Sequence, residues 1–137
     1  MKGEGRGARG EGRGRLMSVR HYRKLVVWQK AMALAKLCYR VTKAFPKDEL
    51  FGLTSQIRRA ATSIPANIAE GHGRSHTKEY LHHLSIARGS LAGLETHLIL
   101  SHDVAILSET DLNACLNMAD EISRMLAALR TALRRRL

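Results

Sequence analysis

Aromatic residues are scarce in this chain. They make up 4% of 137 residues, although 45% of the chain is apolar. A core of that composition is built from Leu, Ala, Ile and Met, which suits helices packed on helices better than the aromatic and β-branched pairs of a sheet. No run alternates apolar and polar residues in the manner of a strand. Prolines number two, Pro46 and Pro65, and cysteines two, Cys38 and Cys115. Both cysteines sit inside apolar helical patterns and no CxxC occurs. They read as small buried hydrophobes in a reducing compartment, the cytoplasm, and a disulfide is the weaker reading. No apolar run approaches the roughly 18–20 residues that a bilayer crossing needs. The start of the chain lacks the apolar segment of a secretory signal. Acidic residues are also few: 12 against 23 Lys and Arg, a net charge of +11. That excess points to a polyanionic partner, RNA or DNA, and away from a membrane-spanning role.

Residues 1–16, MKGEGRGARGEGRGRL, contain the unit GEGRG twice. So glycine-rich a segment cannot bury enough surface to offset its ordering entropy, and the composition predicts a disordered Gly/Arg-rich tail. An RNA-binding arm and a misassigned start site are equally compatible with it. Residues 17–137 then read as one all-α domain.

Four helices are expected. In helix 1, about Lys24–Phe45, Val27, Ala31, Leu34, Cys38, Val41 and Phe45 form one apolar stripe. Leu25, Trp28, Met32, Ala35 and Tyr39 form a second. One stripe serves a bundle core, and a second implies another helix surface to cover, hence a homo-oligomer with Trp28 and Met32 in its interface. Helix 2, about Glu49–Glu70, carries Leu53, Ile57, Ala60, Ala61, Ile64 and Ile68, and should kink or break at Pro65, with Gly71 as its stop. Helix 3, capped by Ser75 or Thr77, carries Leu84, Ala87, Leu91, Leu94 and Leu98. Gly89 and Gly93 thin one side of it, for close helix approach or by simple tolerance. Helix 4, from Ser108 to about Arg135, repeats Leu112, Cys115, Ala119, Ile122, Leu126, Leu129 and Leu133, the spacing of near-parallel bundle packing. Short connections make successive helices antiparallel, in an up-down-up-down four-helix bundle.

That topology sorts the charges. One end should collect Arg20, Arg23, Lys24, Arg74, Lys78, Arg130, Arg134, Arg135 and Arg136 against only Glu70 and Glu79. The other holds Lys43 and Lys47 against Asp48, Glu49, Asp103, Glu109 and Asp111. Helix dipoles account for cations at helix C-termini, but not for Arg20–Lys24 or Lys78 near helix starts. The nine cations are the candidate phosphate-binding surface.

Chemical motifs are absent. The seven histidines form no HExxH and no zinc-spaced cluster with cysteine, so neither metal nor cofactor is expected. Ser63 and Ser90 lack a visible base-and-orienter context, and no GxSxG occurs. Glu70 and Glu95 read as structural partners for Arg58 or Arg59, or as paired carboxylates. No catalytic residue is assigned, and the protein is not expected to be an enzyme.

The stretch GLTSQIRRAATSIPANIAEGHGR, with WQKAMALAKLCYRVTKAFPKDE before it and HTKEYLHHLSIARGSLAGLETHL after it, also carries a resemblance. It resembles the small bacterial four-helix-bundle family encoded in intervening sequences of large-subunit 23S rRNA genes, over residues 22–133. The resemblance implies a bundle assembling as a homopentameric cylinder with a nucleic-acid link. Relatives of the fold accompany reverse transcriptases in diversity-generating retroelements, which makes a reverse transcriptase a candidate partner. The resulting expectation is a basic scaffold or accessory factor binding RNA or DNA non-specifically. A protein-docking module without nucleic acid is the alternative, and a ribonuclease-like enzyme the third reading.

Overall fold

The computed structural model describes residues 21–137; the 1–16 tail and Arg20 lie outside the described residues. A 3-10 turn, His21–Lys24, leads into α1, Val26–Thr42. A second turn, Lys47–Glu49, precedes α2, Leu53–His72. Then come α3, Thr77–Asp103, and α4, Glu109–Arg134. No strand occurs among the described residues.

Each helix packs on its sequence neighbours, and α4 closes the ring against α1. The pairings run in opposite senses. Between α2 and α3, Ser63 meets Ser90 and Asn67 meets His83. Between α1 and α4, Lys30 pairs with Glu121 at 3.3 Å, while Cys38 lies against Cys115 further along. Between α1 and α2, Thr42 meets Arg58, and His21 before α1 meets His72 at the far end of α2.

The core is the set that the periodicity selects: Val27, Ala31, Leu34 and Cys38 from α1; Ile57, Ala61, Ile64 and Ile68 from α2; Leu84, Ala87, Leu91, Leu94 and Leu98 from α3; and Leu112, Cys115, Ala119, Ile122, Leu126 and Leu133 from α4. Cys38 and Cys115 are free thiols with no solvent exposure. The contact with Cys115, together with burial, pushes the Cys38 thiol above its usual range, so it stays protonated. Several positions depart from the expected stripes: Val41, Leu53 and Ala60 are only partly buried, and Thr42 and Thr54 are buried beside them. Leu129 is only partly buried, and Arg130 takes the inward slot at 9% exposure.

Helix ends differ from the periodic reading because caps decide them. The apolar spacing runs on to Phe45, but α1 ends at Thr42, whose hydroxyl donates to the carbonyl of Cys38 at 2.7 Å. Phe45 is buried from the turn that follows. Glu49, expected inside helix 2, sits before it, and its carboxylate accepts from the Leu53 amide at 3.0 Å. Neither Ser75 nor Thr77 caps α3; His76 holds the cap position without a side-chain bond. Ser108 does cap α4, accepting from the Asp111 amide at 3.1 Å.

The second helix does not break at Pro65, which lies buried inside α2. Proline removes the usual donor to the Ala61 carbonyl. Beside it, Asn67 Nδ2 donates to the Ser63 carbonyl at 2.9 Å and to Ser63 Oγ at 3.1 Å. The helix also runs on past Gly71 to His72, with Gly73 at the cap. Gly71 serves packing: a Cβ there would stand 2.8 Å from the His83 Cβ and 3.0 Å from Tyr80 Cδ1. The close approach that Gly89 and Gly93 could have served is absent among the described residues, since a Cβ at either would meet nothing of them within 4 Å.

Candidate nucleic-acid interface

The basic end begins with aromatic and imidazole contacts. The rings of His21 and His72 lie 5.4 Å apart, and those of His72 and Tyr80 lie 5.8 Å apart. They tie the start of α1 to the end of α2 and the start of α3. Arg136, beyond α4, comes close enough to act on the Tyr80 hydroxyl, whose pKa is nonetheless raised by burial. The same end therefore carries Arg23, Lys24, Arg74, Lys78, Arg134, Arg135 and Arg136, all exposed. Arg74 is shared with Glu70 at 2.9 Å. Arg130 differs from the rest. Its Nε is buried without a hydrogen-bond partner, and burial, with Arg88 and Arg134 nearby, lowers its pKa.

Within this end lies a cleft of about 330 Å³ at the α2–α3 turn, lined by Arg74, Lys78, Glu79, His82 and His83. Behind it runs a chain of side-chain hydrogen bonds. Ser90 Oγ and Ser63 Oγ are 2.8 Å apart, Asn67 Nδ2 reaches Ser63, and Asn67 Oδ1 lies 3.1 Å from His83 Nδ1. Ser63 and Ser90 have no visible context in the sequence, because their pairing depends on the register of two helices and joins residues 27 apart.

A second, apolar groove of about 630 Å³ runs between α1 and α2, lined by Trp28, Met32, Ala35, Tyr39, Pro65 and Ala69 among others. Trp28 packs edge-on against Tyr22 at 5.3 Å. Four members of the second helix 1 stripe, Trp28, Met32, Ala35 and Tyr39, thus line this groove.

The sequence model of the 23S rRNA-intervening sequence protein family matches residues 23–128. The chain belongs to that family. A solved structure with a similar fold is a protein of unknown function from the S23 ribosomal protein family of Bacteroides thetaiotaomicron. It is 24% identical, the match covers 77% of this chain and 96% of that one, and the TM-score is 0.72. No curated protein matches the chain.

In this family member the mid-bundle charges are arranged otherwise than expected. Glu70 pairs with Arg74, not with Arg58 or Arg59. Arg58 donates from Nε to Thr42 Oγ1 at 2.9 Å and stacks 4.6 Å above the Tyr39 ring. Glu95 has no ion pair among the described residues; burial first, and then Asp120, raise its carboxyl pKa. The folded state thus keeps that proton to higher pH than the unfolded chain, and stability is lost as pH rises through the raised value. Glu95→Gln is expected to raise the thermal midpoint at about pH 7, with the gain shrinking toward about pH 4, as followed by circular dichroism. His72 works in the opposite sense. Burial, then His21, lower its pKa, so its contribution is lost as pH falls below the ordinary histidine range.

No group of three His, Cys, Asp or Glu among the described residues is placed to hold a metal. No described helix is long and apolar enough to cross a membrane.

Proposed function

We infer that this family member is a basic homo-oligomer, pentameric as its family resemblance implies, that binds RNA or DNA through phosphates as a cytoplasmic scaffold or accessory factor. The observation that carries this reading is the gathering of exposed cations at one end of the bundle from three separate chain segments. Lys78 supports it most directly, because a cation in the first turn of a helix opposes the dipole and has no stabilising reason to be there. Contacts of this kind position a protein on a backbone without reading sequence. The element served is either the transcript of an interrupted rRNA gene or the RNA of a reverse transcriptase, and the neighbouring genes distinguish them. The binding test is fluorescence anisotropy with structured RNA and duplex DNA from about 50 to 300 mM salt. A steep fall in affinity with salt is expected, and no binding to either at the lowest salt overturns the reading.

Assembly is supported by two apolar surfaces on different sides of the bundle. One is the α1–α2 groove with Trp28 and Met32. The other is the outer face of α3 and its cap, where Ile86, Leu100 and, just past the helix, Val104 stand 39%, 46% and 52% exposed on the side of Gly89 and Gly93. Two different patches cover each other through a head-to-tail contact, which gives a ring where the rotation closes; a two-fold contact through one patch would leave both copies of the other bare. Light scattering should give a mass near five subunits, and Trp28→Arg with Met32→Arg should reduce it to one. A monomer at micromolar concentration in the unsubstituted protein would sink the assembly.

A further inference from the structure

We propose that the cleft at the α2–α3 turn is a ribose-phosphate subsite that makes the basic end bind RNA in preference to DNA. The proposal rests on the phosphate-binding reading and adds a ligand class to it. Its basis is the direction of the hydrogen bonds behind the cleft. The Ser63 carbonyl can only accept, so the Asn67 atom facing it must be the amide nitrogen. The Asn67 oxygen therefore faces His83, and that oxygen too can only accept. His83 Nδ1 must then carry the ring proton. In the neutral imidazole this leaves Nε2 as a hydrogen-bond acceptor, and among the described residues nothing occupies it.

An acceptor of this kind is useless to a phosphate, which has no proton to give. It fits a hydroxyl donor. His83 shares its cleft with Arg74 and Lys78, two cations suited to a phosphate oxygen, and the cleft is at the lower end of the size range of small-ligand sites. A phosphate and a hydroxyl donor on adjacent atoms are what one ribonucleotide presents, and the 2′-hydroxyl is the group that distinguishes RNA from DNA. Glu79, also in the lining, discourages a second phosphate. Asn67 is the positioning residue. It is held by Ser63, which Ser90 holds in turn, so the imidazole orientation is set by two helices rather than by a loop. Gly71 lets α2 and α3 approach closely enough for the Asn67–His83 bond to form.

The test is anisotropy at about pH 8, where an ordinary histidine is neutral. It uses unstructured single strands of one sequence as RNA, DNA and 2′-O-methyl RNA. The methylated strand keeps the ribose and removes the donated hydrogen. Unsubstituted protein should bind RNA roughly 2- to 10-fold more tightly than either of the others, the range of one net hydrogen bond. His83→Phe and Asn67→Leu should bring RNA down to the level of DNA measured with the same variant. Arg74→Gln with Lys78→Gln should weaken all three strands alike. Equal binding of the three strands by unsubstituted protein overturns the subsite, whatever the variants do, and leaves the phosphate surface standing. An RNA preference that survives in folded His83→Phe overturns it as well. Failure to bind any strand at the lowest salt overturns both the subsite and the surface beneath it.

Discussion

Replacing Arg134, Arg135 and Arg136 by glutamine should lower affinity for RNA and DNA of any sequence, by about 100-fold at moderate salt if all three meet phosphates. All three side chains are exposed at the end of α4. For each duplex phosphate no longer neutralised, the slope of log affinity against log salt should shrink by roughly one unit, and by somewhat less for a single strand. The loss should be equal for unrelated sequences, because a phosphate carries no base identity. Lys43→Gln with Lys47→Gln, at the acidic end, should change little. Arg130→Gln should also spare affinity, since that side chain is buried in the bundle. Removal of residues 1–16 is the companion measurement: a loss as large as that of the triple variant would move the activity from the bundle to the tail. Unchanged affinity in the triple variant, with intact assembly mass, would remove the end of α4 from the interface.

Gly71→Val should be the most damaging of the glycine substitutions. Even a Cβ at that position falls 2.8 Å from the His83 Cβ and 3.3 Å from the Tyr80 carbonyl oxygen, which is backbone and cannot swing aside. Overpacking of this kind costs about 2 kcal/mol or more. Parting α2 from α3 there should also break the Asn67–His83 bond, so any RNA preference should fall with stability. Gly89→Ala and Gly93→Ala should behave oppositely. A Cβ meets nothing at either position, and each helix interior should gain about 1 kcal/mol. Urea titration followed by circular dichroism reads all three. A smaller assembly mass for Gly93→Ala, with helix content kept, would mean that a second copy lies against that glycine.

The contrast among these glycines shows what the sequence could and could not convey. Long stripes such as Leu84–Leu98 were legible, because burial on one side of a straight helix repeats every three or four residues. The basic end was legible for a related reason: short turns leave little freedom in where successive helix ends lie. Register between helices was not. Gly71 looked like a stop, and Gly89 could be a contact or simply tolerated, because spacing along one helix says nothing of what faces it. The same gap explains Arg130. Leu129 and Arg130 both fit a drifting repeat, and the long apolar stem of arginine lets it occupy the slot. The Ser90–Ser63–Asn67–His83 chain was hidden because each link needs two helices set side by side. Helix starts depended on single atoms, such as the Glu49 carboxylate reaching the Leu53 amide, for which periodicity has no signal.

Cys38 and Cys115 face each other across the seam where the last helix closes on the first, and neither touches solvent. With the bundle shut, a thiol reagent has no path to either of them. Labelling is therefore a clock on breathing: its rate counts the moments when α1 and α4 part, without denaturant. Because the reagent must wait for that seam to open, the ratio of native to unfolded labelling rates converts directly into the free energy of a local opening event. Measured with and without nucleic acid, the same two sulfurs would report whether occupying one end of the bundle tightens the seam along its length.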